Sequence, residues 1–348
     1  MNKNLQSILK ILMFLSIGVS ILYLVYRKYN SKFIEECIAE GTPLSDCNFI
    51  DKIVSDVSSA NFTWIFIGLA FYVWSNVARS IRWKMLIEPL GKSPRLANTL
   101  STVLITHLVN LGIPRSGEFV RAGLLAKYED LEAEKVMGTI VTSRVIDVLC
   151  LLIMIGITLL LSFDNFVGYF RTSDVMGDQI TSLLSPLNLI LIAIFSAGGL
   201  FLLWRFREEI LATKIGIKIW NILRGFWEGI LTIKDLKSPK KFIFHTIVIW
   251  ICYYLMTYLM FFSFFPTSNL APVAGLVVFI FGTLGVVIPS PGGMGTYQFL
   301  IVEGLMLYSV PETEAFSFAN IMFFSVQLCN IALGLIAFIL LPIINKNE

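Results

Sequence analysis

The chain contains 348 residues, of which 56% are hydrophobic and 15% are charged, and its mean hydropathy of +0.77 is far above that of a soluble domain. This composition indicates a protein that crosses a membrane several times. The net charge of +3 comes from basic residues spread over polar loops, so we predict no nucleic-acid partner. Two isolated histidines without a Cys-x-x-Cys pair give no metal-ligand spacing, so we predict no metal and no other cofactor.

The first apolar segment, residues 8–26, is long enough to cross a bilayer and is flanked by basic residues. No small-residue cleavage site follows it, so we interpret it as a retained signal anchor. The polar stretch at residues 27–60 carries six acids against four bases and is predicted to be an outside loop. Its cysteines, Cys37 and Cys47, either form a disulfide on the exported side or remain two free thiols.

A second span at residues 62–77 ends in a basic stretch with Trp83, which we expect at the headgroup belt on the cytoplasmic side. Residues 97–113 contain too many polar side chains for a lipid-facing helix, so we expect a re-entrant segment or one buried among other helices. The polar side chains of this segment are Asn98, Thr99, Ser101, Thr102, Thr106, His107 and Asn110.

The stretch from Pro114 to Arg121 interrupts the helical pattern and places three charges directly after an apolar run. Proline suits the first turn of a new helix, and ionisable groups at membrane depth are candidates for function. On that helix Glu118 lies three residues from both Arg115 and Arg121 and can pair with either, which would leave one arginine for a ligand. The alternative is a break at the membrane surface with a solvated ion pair.

A long span at residues 137–162 carries Arg144 and Asp147 three residues apart on one helical face. They can be buried only as a pair or against other charges, unless the arginine extends to the membrane surface. Residues 205–241 hold nine bases against four acids, with apolar residues at helical spacing. We predict here a cytoplasmic amphipathic segment that lies along the inner leaflet or packs on the protein's own cytoplasmic face. Further spans are predicted at residues 187–204, 242–264, 271–288, 297–309 and 316–342.

The loop charges predict the orientation of the chain. Fourteen basic residues lie on the proposed inside loops and five on the proposed outside loops, which favours two cytoplasmic termini. The sequence therefore predicts an all-α polytopic bundle with about eight spans and two broken or re-entrant segments. We expect residues 1–348 to form a single integral membrane domain.

The second break is the stretch Pro289-Ser290-Pro291-Gly292-Gly293-Met294-Gly295, between an apolar run and a new helical pattern. A glycine turn that opens a helix can offer backbone N–H groups to a phosphate, and interrupted segments in two halves of a chain indicate a transporter's binding site. We predict that the two breaks face each other near mid-membrane and form one anion-binding cavity. The alternative is that both breaks only serve packing.

Catalytic constellations are absent at convincing spacing, since no nucleophile lies beside a base. The acids Glu35, Glu36 and Asp46 could serve a transferase that acts on lipid-linked sugars, although acids in a polar loop are usually just solvated. A transporter is therefore expected rather than an enzyme. The alternatives are a membrane glycosyltransferase-type enzyme acting on a polyprenyl-phosphate substrate and a non-transporting membrane partner of an envelope system.

Three motifs in order resemble the lysylphosphatidylglycerol synthase transmembrane-region family, also called the flippase-like domain family. They are Pro114-Arg115-x-Gly117-Glu118-x-x-Arg121, Arg144-x-x-Asp147 and Pro289-x-Pro291-Gly292-Gly293-x-Gly295, and the string Arg79-x-x-Arg82-Trp83 is similar as well. The resemblance covers about residues 60–342. Two departures each remove a negative charge, because Gln298 and Ser143 stand where the family often has an acid.

The resemblance implies a multi-pass protein of the bacterial inner membrane that moves an anionic phospholipid, an aminoacyl-phospholipid or a polyprenyl-phosphate-linked sugar between leaflets. Members that make lysylphosphatidylglycerol carry a further soluble domain, so we expect this chain to lack synthase activity and to work with a separately encoded lipid-modifying enzyme. Changes at Gln298, Glu303 or His107 are expected to alter headgroup preference. The candidate substrate-binding residues are Arg115, Glu118, Arg121, Arg144, Asp147, Gly292, Gly293, Gly295, Asn110, Gln298 and Glu303.

Overall fold

The structure is a computed structural model that describes residues 3–172, 236–288 and 290–346. Within these residues it contains eleven α-helices and no strand, which confirms the all-α prediction. The helices are α1 (Lys3–Ala39), α2 (Phe49–Ser59), α3 (Phe62–Ile87), α4 (Leu96–Gly112), α5 (Gly117–Glu129), α6 (Ala133–Leu161), α7 (Phe163–Thr172), α8 (Pro239–Met260), α9 (Pro272–Val287), α10 (Thr296–Met306) and α11 (Glu312–Ile344).

Four of the described helical segments are long and apolar enough to cross a membrane, and α9 is a shorter apolar helix. The chain is therefore a multi-pass membrane protein. The predicted span at residues 187–204 and nearly all of the predicted amphipathic segment at 205–241 lie outside the described residues. The four segments are Phe62–Leu90, Ala133–Leu161, Pro239–Ser263 and Glu312–Ile344.

The stretch predicted as an outside loop is largely helical. The first helix continues to Ala39, and α2 follows with the Asn48 side chain as its N-terminal cap. Cys37 and Cys47 form a disulfide, which decides between the two alternatives left by the sequence. Aromatic packing anchors the segment, because the Phe49 ring lies 5.7 Å from that of Phe316 in α11. A polar segment can fold here because aromatic residues such as Tyr29 and Phe49 are buried against the rest of the protein.

The chain divides into two compact units. The first combines residues 1–143 with residues 237–348 and contains both breaks, while the second covers residues 144–236 and includes the rest of α6 together with α7. Polar residues of α4 are buried in the first unit, as expected for a segment surrounded by helices. The hydroxyl of Thr106, for example, donates to the Thr102 carbonyl at 2.8 Å, so it needs no partner outside α4.

Candidate functional site

The first break is a four-residue turn that holds an arginine in an unusual conformation. Helix α4 ends at Gly112, and the Ser116 N–H donates to the Ile113 carbonyl at 3.2 Å. Pro114 occupies the second position of this turn, and Arg115 occupies the third with φ of 63°. A positive φ at the third position is typical of type II turns, which favour glycine there. Arginine in this conformation costs free energy, so its presence points to a function for the side chain.

The helix after the turn is fixed closely against α4. The Gly117 N–H donates to the Asn110 side-chain oxygen at 2.8 Å. A Cβ at Gly117 would overlap the carbonyl oxygen of Thr106, so only glycine allows this approach. Asn110, which the sequence suggested for substrate binding, thus holds the start of α5 in place.

The second break is a glycine turn whose backbone donors are largely used. Gly292, Gly293 and Gly295 all have positive φ, between 57° and 83°. The N–H groups of Gly293 and Met294 donate to carbonyls within the turn at 3.1 and 3.0 Å. The Gly295 N–H donates to the side-chain oxygen of Gln298 at 2.8 Å. The prediction that this turn offers its N–H groups to a phosphate is therefore wrong for these three donors, because a tight turn satisfies its own backbone.

The two breaks contact each other, as predicted. The Arg115 guanidinium donates to the carbonyl of Val287, the last residue of α9, at 3.0 Å. A Cβ on Gly292 would lie 2.8 Å from the Leu111 side chain. The carboxyl end of a helix attracts a cation because its carbonyl groups point outward. Arg115 is exposed, and no carboxylate in the described part of the chain pairs with it, so most of its donors remain available.

A partly buried polar network supports the glycine turn, and most of its residues were not among the predicted site residues. The Gln327 amide donates to the Gly292 carbonyl at 2.8 Å, and Asn330 donates to Gln327 at 3.1 Å. The Tyr72 hydroxyl donates to Asn330 at 2.6 Å. The network joins α11 to α3 behind the turn. Amide side chains inside apolar spans were the available signal, because membrane helices rarely bury them without partners.

The same polar region continues to the histidine of α4. The Asn76 side chain donates to the Tyr72 carbonyl at 3.0 Å, and its oxygen lies 2.9 Å from His107 Nε2. Because Asn76 holds its oxygen toward the ring, the His107 Nε2 carries the hydrogen in this bond. His107 is therefore part of the support for the breaks.

The second arginine of the first motif contacts a different partner. Arg121 is buried and its guanidinium lies 3.6 Å from the ring centroid of Trp83. The Trp83 indole donates to Thr139 at 2.9 Å. The prediction of a headgroup belt position for Trp83 is wrong, since the ring is fully buried and is held by a cation–π contact and a hydrogen bond. Arg115 and Arg121 thus do not share one partner.

The remaining charged candidates fall in three places. Glu118 is half-buried in the first turn of α5. Arg144 and Asp147 approach to 3.9 Å, as their spacing predicted, but they belong to the second unit. A common cluster with Arg115 therefore stays a prediction. Glu303 stands in an apolar stretch of the sequence, and in the structure Lys28 of α1 lies 3.6 Å from it.

Comparisons with known proteins identify relatives of most of the chain. The family model described as the lysylphosphatidylglycerol synthase TM region matches residues 49–334. A UPF0104 membrane protein from Methanocaldococcus jannaschii is 22% identical over 293 residues, which is 76% of this chain and 81% of that protein. No solved structure matches the chain. The matched range contains both breaks, and with them the motif from Pro114 to Arg121. It also contains the motif formed by Arg144 and Asp147.

Proposed function

The chain belongs to the lysylphosphatidylglycerol synthase transmembrane-region family, and on that premise we propose that it carries a phosphate-bearing lipid between the leaflets of a bacterial inner membrane. The substrate class comprises anionic phospholipids, aminoacyl-phospholipids and polyprenyl-phosphate-linked sugars. The protein acts as a transporter rather than an enzyme. A separately encoded lipid-modifying enzyme supplies the lipid.

The observation that carries this proposal is the position of Arg115. Its guanidinium reaches from one break to the other and bonds a carbonyl rather than a carboxylate. A phosphate is a stronger acceptor than a peptide carbonyl, and the planar guanidinium can bind it with two parallel hydrogen bonds. Phosphate binding would therefore compete with the contact to Val287. This competition gives the lipid a means to loosen one break from the other.

The polar network explains how the rest of the site stays fixed while this contact changes. Gln327 bonds the glycine turn, and Asn330 and Tyr72 continue the network behind it. Irregular backbone at membrane depth survives only where protein or a wet cavity surrounds it. The turn thus forms a fixed wall beside an exposed arginine, which suits the passage of a headgroup between the breaks.

The proposal is tested by reconstituting the protein into liposomes with fluorescent lipid analogues and measuring their exchange between leaflets with an impermeant quencher. Arg115→Ala should abolish exchange per folded molecule. Lys135→Ala, which removes an exposed charge paired with Glu132, is the control and should retain exchange. Unchanged exchange in a folded Arg115→Ala protein would contradict the proposal.

The orientation is part of the proposal, with both termini in the cytoplasm. The disulfide between Cys37 and Cys47 supports an exported location for the end of α1, because disulfides persist in oxidising compartments. An impermeant thiol reagent added to intact cells should label these cysteines only after reduction. An impermeant amine reagent added from outside should not label Lys218, which lies in the predicted cytoplasmic segment at residues 205–241. Its labelling from that side would reverse the orientation.

A further inference from the structure

A lysine of α1 lies between a carboxylate and an aromatic ring of α10. Lys28 Nζ is 3.6 Å from Glu303 Oε1 and 5.4 Å from the centroid of the Phe299 ring. Phe299 and Glu303 are four residues apart, so they lie on the same face of α10. Carboxylates and aromatic faces together are the groups with which proteins bind an ammonium ion.

Helix α1 runs along the second break and the helix that follows it. A Cβ on Gly18 would lie 3.0 Å from the Pro291 ring, and a Cβ on Gly295 would lie 2.5 Å from Ile21. Further along both helices, Lys28 meets Glu303. The surface covered by α1 therefore extends from the glycine turn to the carboxylate of Glu303.

We propose that Phe299 and Glu303 form a binding site for the primary ammonium group of a lipid headgroup, and that Lys28 occupies this site when no lipid is bound. The inference rests on the proposed function and narrows its substrate to lipids that carry both a phosphate and a primary amine. Lysylphosphatidylglycerol and phosphatidylethanolamine both carry these two groups, whereas phosphatidylglycerol has no amine.

The exposure of the two side chains allows such an exchange. The Lys28 side chain is 46% exposed and the Glu303 side chain is 22% exposed. An exposed lysine can move into water at low cost, because its long stem is flexible and exposed ion pairs are weak. Replacement of one ammonium group by another keeps Glu303 paired throughout. The exchange therefore avoids an uncompensated charge beside the membrane.

A second ion pair of α1 provides a matched control. Lys32 pairs with Glu312 of α11, and its side chain is 48% exposed. The two pairs lie one helical turn apart on α1, and within the described residues no aromatic ring lies under the Lys32 ammonium group. If Lys28 and Glu303 only tie helices together, removal of either pair should have the same consequences.

The experiment compares lysylphosphatidylglycerol, phosphatidylethanolamine and phosphatidylglycerol analogues in liposomes that contain the full chain. Glu303→Gln should lower the exchange ratio of lysylphosphatidylglycerol to phosphatidylglycerol by about tenfold or more, since a charge-assisted hydrogen bond is lost. Lys28→Met should raise that ratio, because it removes an internal competitor. Glu312→Gln should leave the ratio at its wild-type value. The ratio of phosphatidylethanolamine to phosphatidylglycerol should change in the same direction, because ethanolamine also carries a primary amine.

Equal ratios in Glu303→Gln, Glu312→Gln and wild type would overturn the inference while leaving transport itself intact. If the wild-type protein exchanges none of the three lipids faster than empty liposomes, the proposed function fails instead. Lipid retention by the purified protein, measured by native mass spectrometry, then decides the binding question. Selective loss of the lysyl lipid in Glu303→Gln supports the ammonium site without transport, and equal retention in both variants rejects it.

Discussion

The two breaks look alike in sequence, with a proline after an apolar run, yet they are built in opposite ways. In the second break, the Gly293 and Gly295 N–H groups are already bonded, and Gln327 bonds the Gly292 carbonyl. In the first break, Arg115 is exposed in a left-handed conformation and donates a hydrogen bond to a carbonyl of α9. An interrupted helix is therefore not itself a binding site, and we propose that the charge placed at the interruption makes it one.

The largest expected effect concerns the attachment of the first break to α4. Gly117→Ala should reduce stability by about 3 kcal/mol or more, because its Cβ would overlap the Thr106 carbonyl and overpacking against backbone is poorly relieved. Gly123→Ala in the same helix meets no atom within 4 Å and should be neutral or stabilising. Thermal unfolding in detergent measures both. Similar midpoints for the two variants would show that the break is not fixed at Gly117.

The next largest loss of stability is expected within the second break, where an added Cβ would contact different neighbours at two of the glycines. A Cβ on Gly295 would lie 2.8 Å from the backbone nitrogen of Leu22, whereas one on Gly292 would meet the flexible end of Leu111. Both substitutions strain a positive φ, but only Gly295→Ala also displaces α1, so it should cost about 1–3 kcal/mol more. The yield of folded protein and its unfolding midpoint show which of the two variants is less stable. A larger loss in Gly292→Ala would show that α1 is not held at this turn.

A smaller effect tests whether the polar network supports the second break. Gln327→Leu removes the donor to the Gly292 carbonyl and should cost about 1 kcal/mol or more, since a partly buried acceptor loses its partner. Tyr72→Phe removes one hydrogen bond further back and should cost about 1 kcal/mol. Transport per folded molecule should fall less than in Arg115→Ala. Full stability in Gln327→Leu would indicate that the turn supports itself.

Much of the fold follows from the sequence because helices in lipid satisfy their own backbone, so apolar length and loop charge suffice. The structure decides the question that the sequence left open for Cys37 and Cys47, since they form a disulfide, and it confirms the predicted contact between the breaks. The helical state of the polar stretch 27–60 was missed, because its stability comes from aromatic packing against α11, a distant part of the chain.

The site was predicted less completely because its partners are distant in sequence. Local spacing suggested that Glu118 could pair with either neighbouring arginine, but it could not show that Arg121 stacks on Trp83 from another helix. Glycine in the second motif suggested free N–H donors, whereas the tight turn bonds them itself. Hydrogen bonds such as that between Tyr72 and Asn330 link residues in different spans. A single sequence does not show which amide side chains contact each other.

The most direct measurement is the stability and transport of Arg115→Gly. Glycine adopts a positive φ without strain, so this variant should be as stable as the wild type or more stable by about 1 kcal/mol. The account predicts that it nevertheless exchanges no lipid per folded molecule, because the donors for the phosphate are gone. Arg115→Ala should also lose exchange but without the gain in stability. Wild-type exchange in a well-folded Arg115→Gly protein would contradict the claim that the first break carries the ligand's charge.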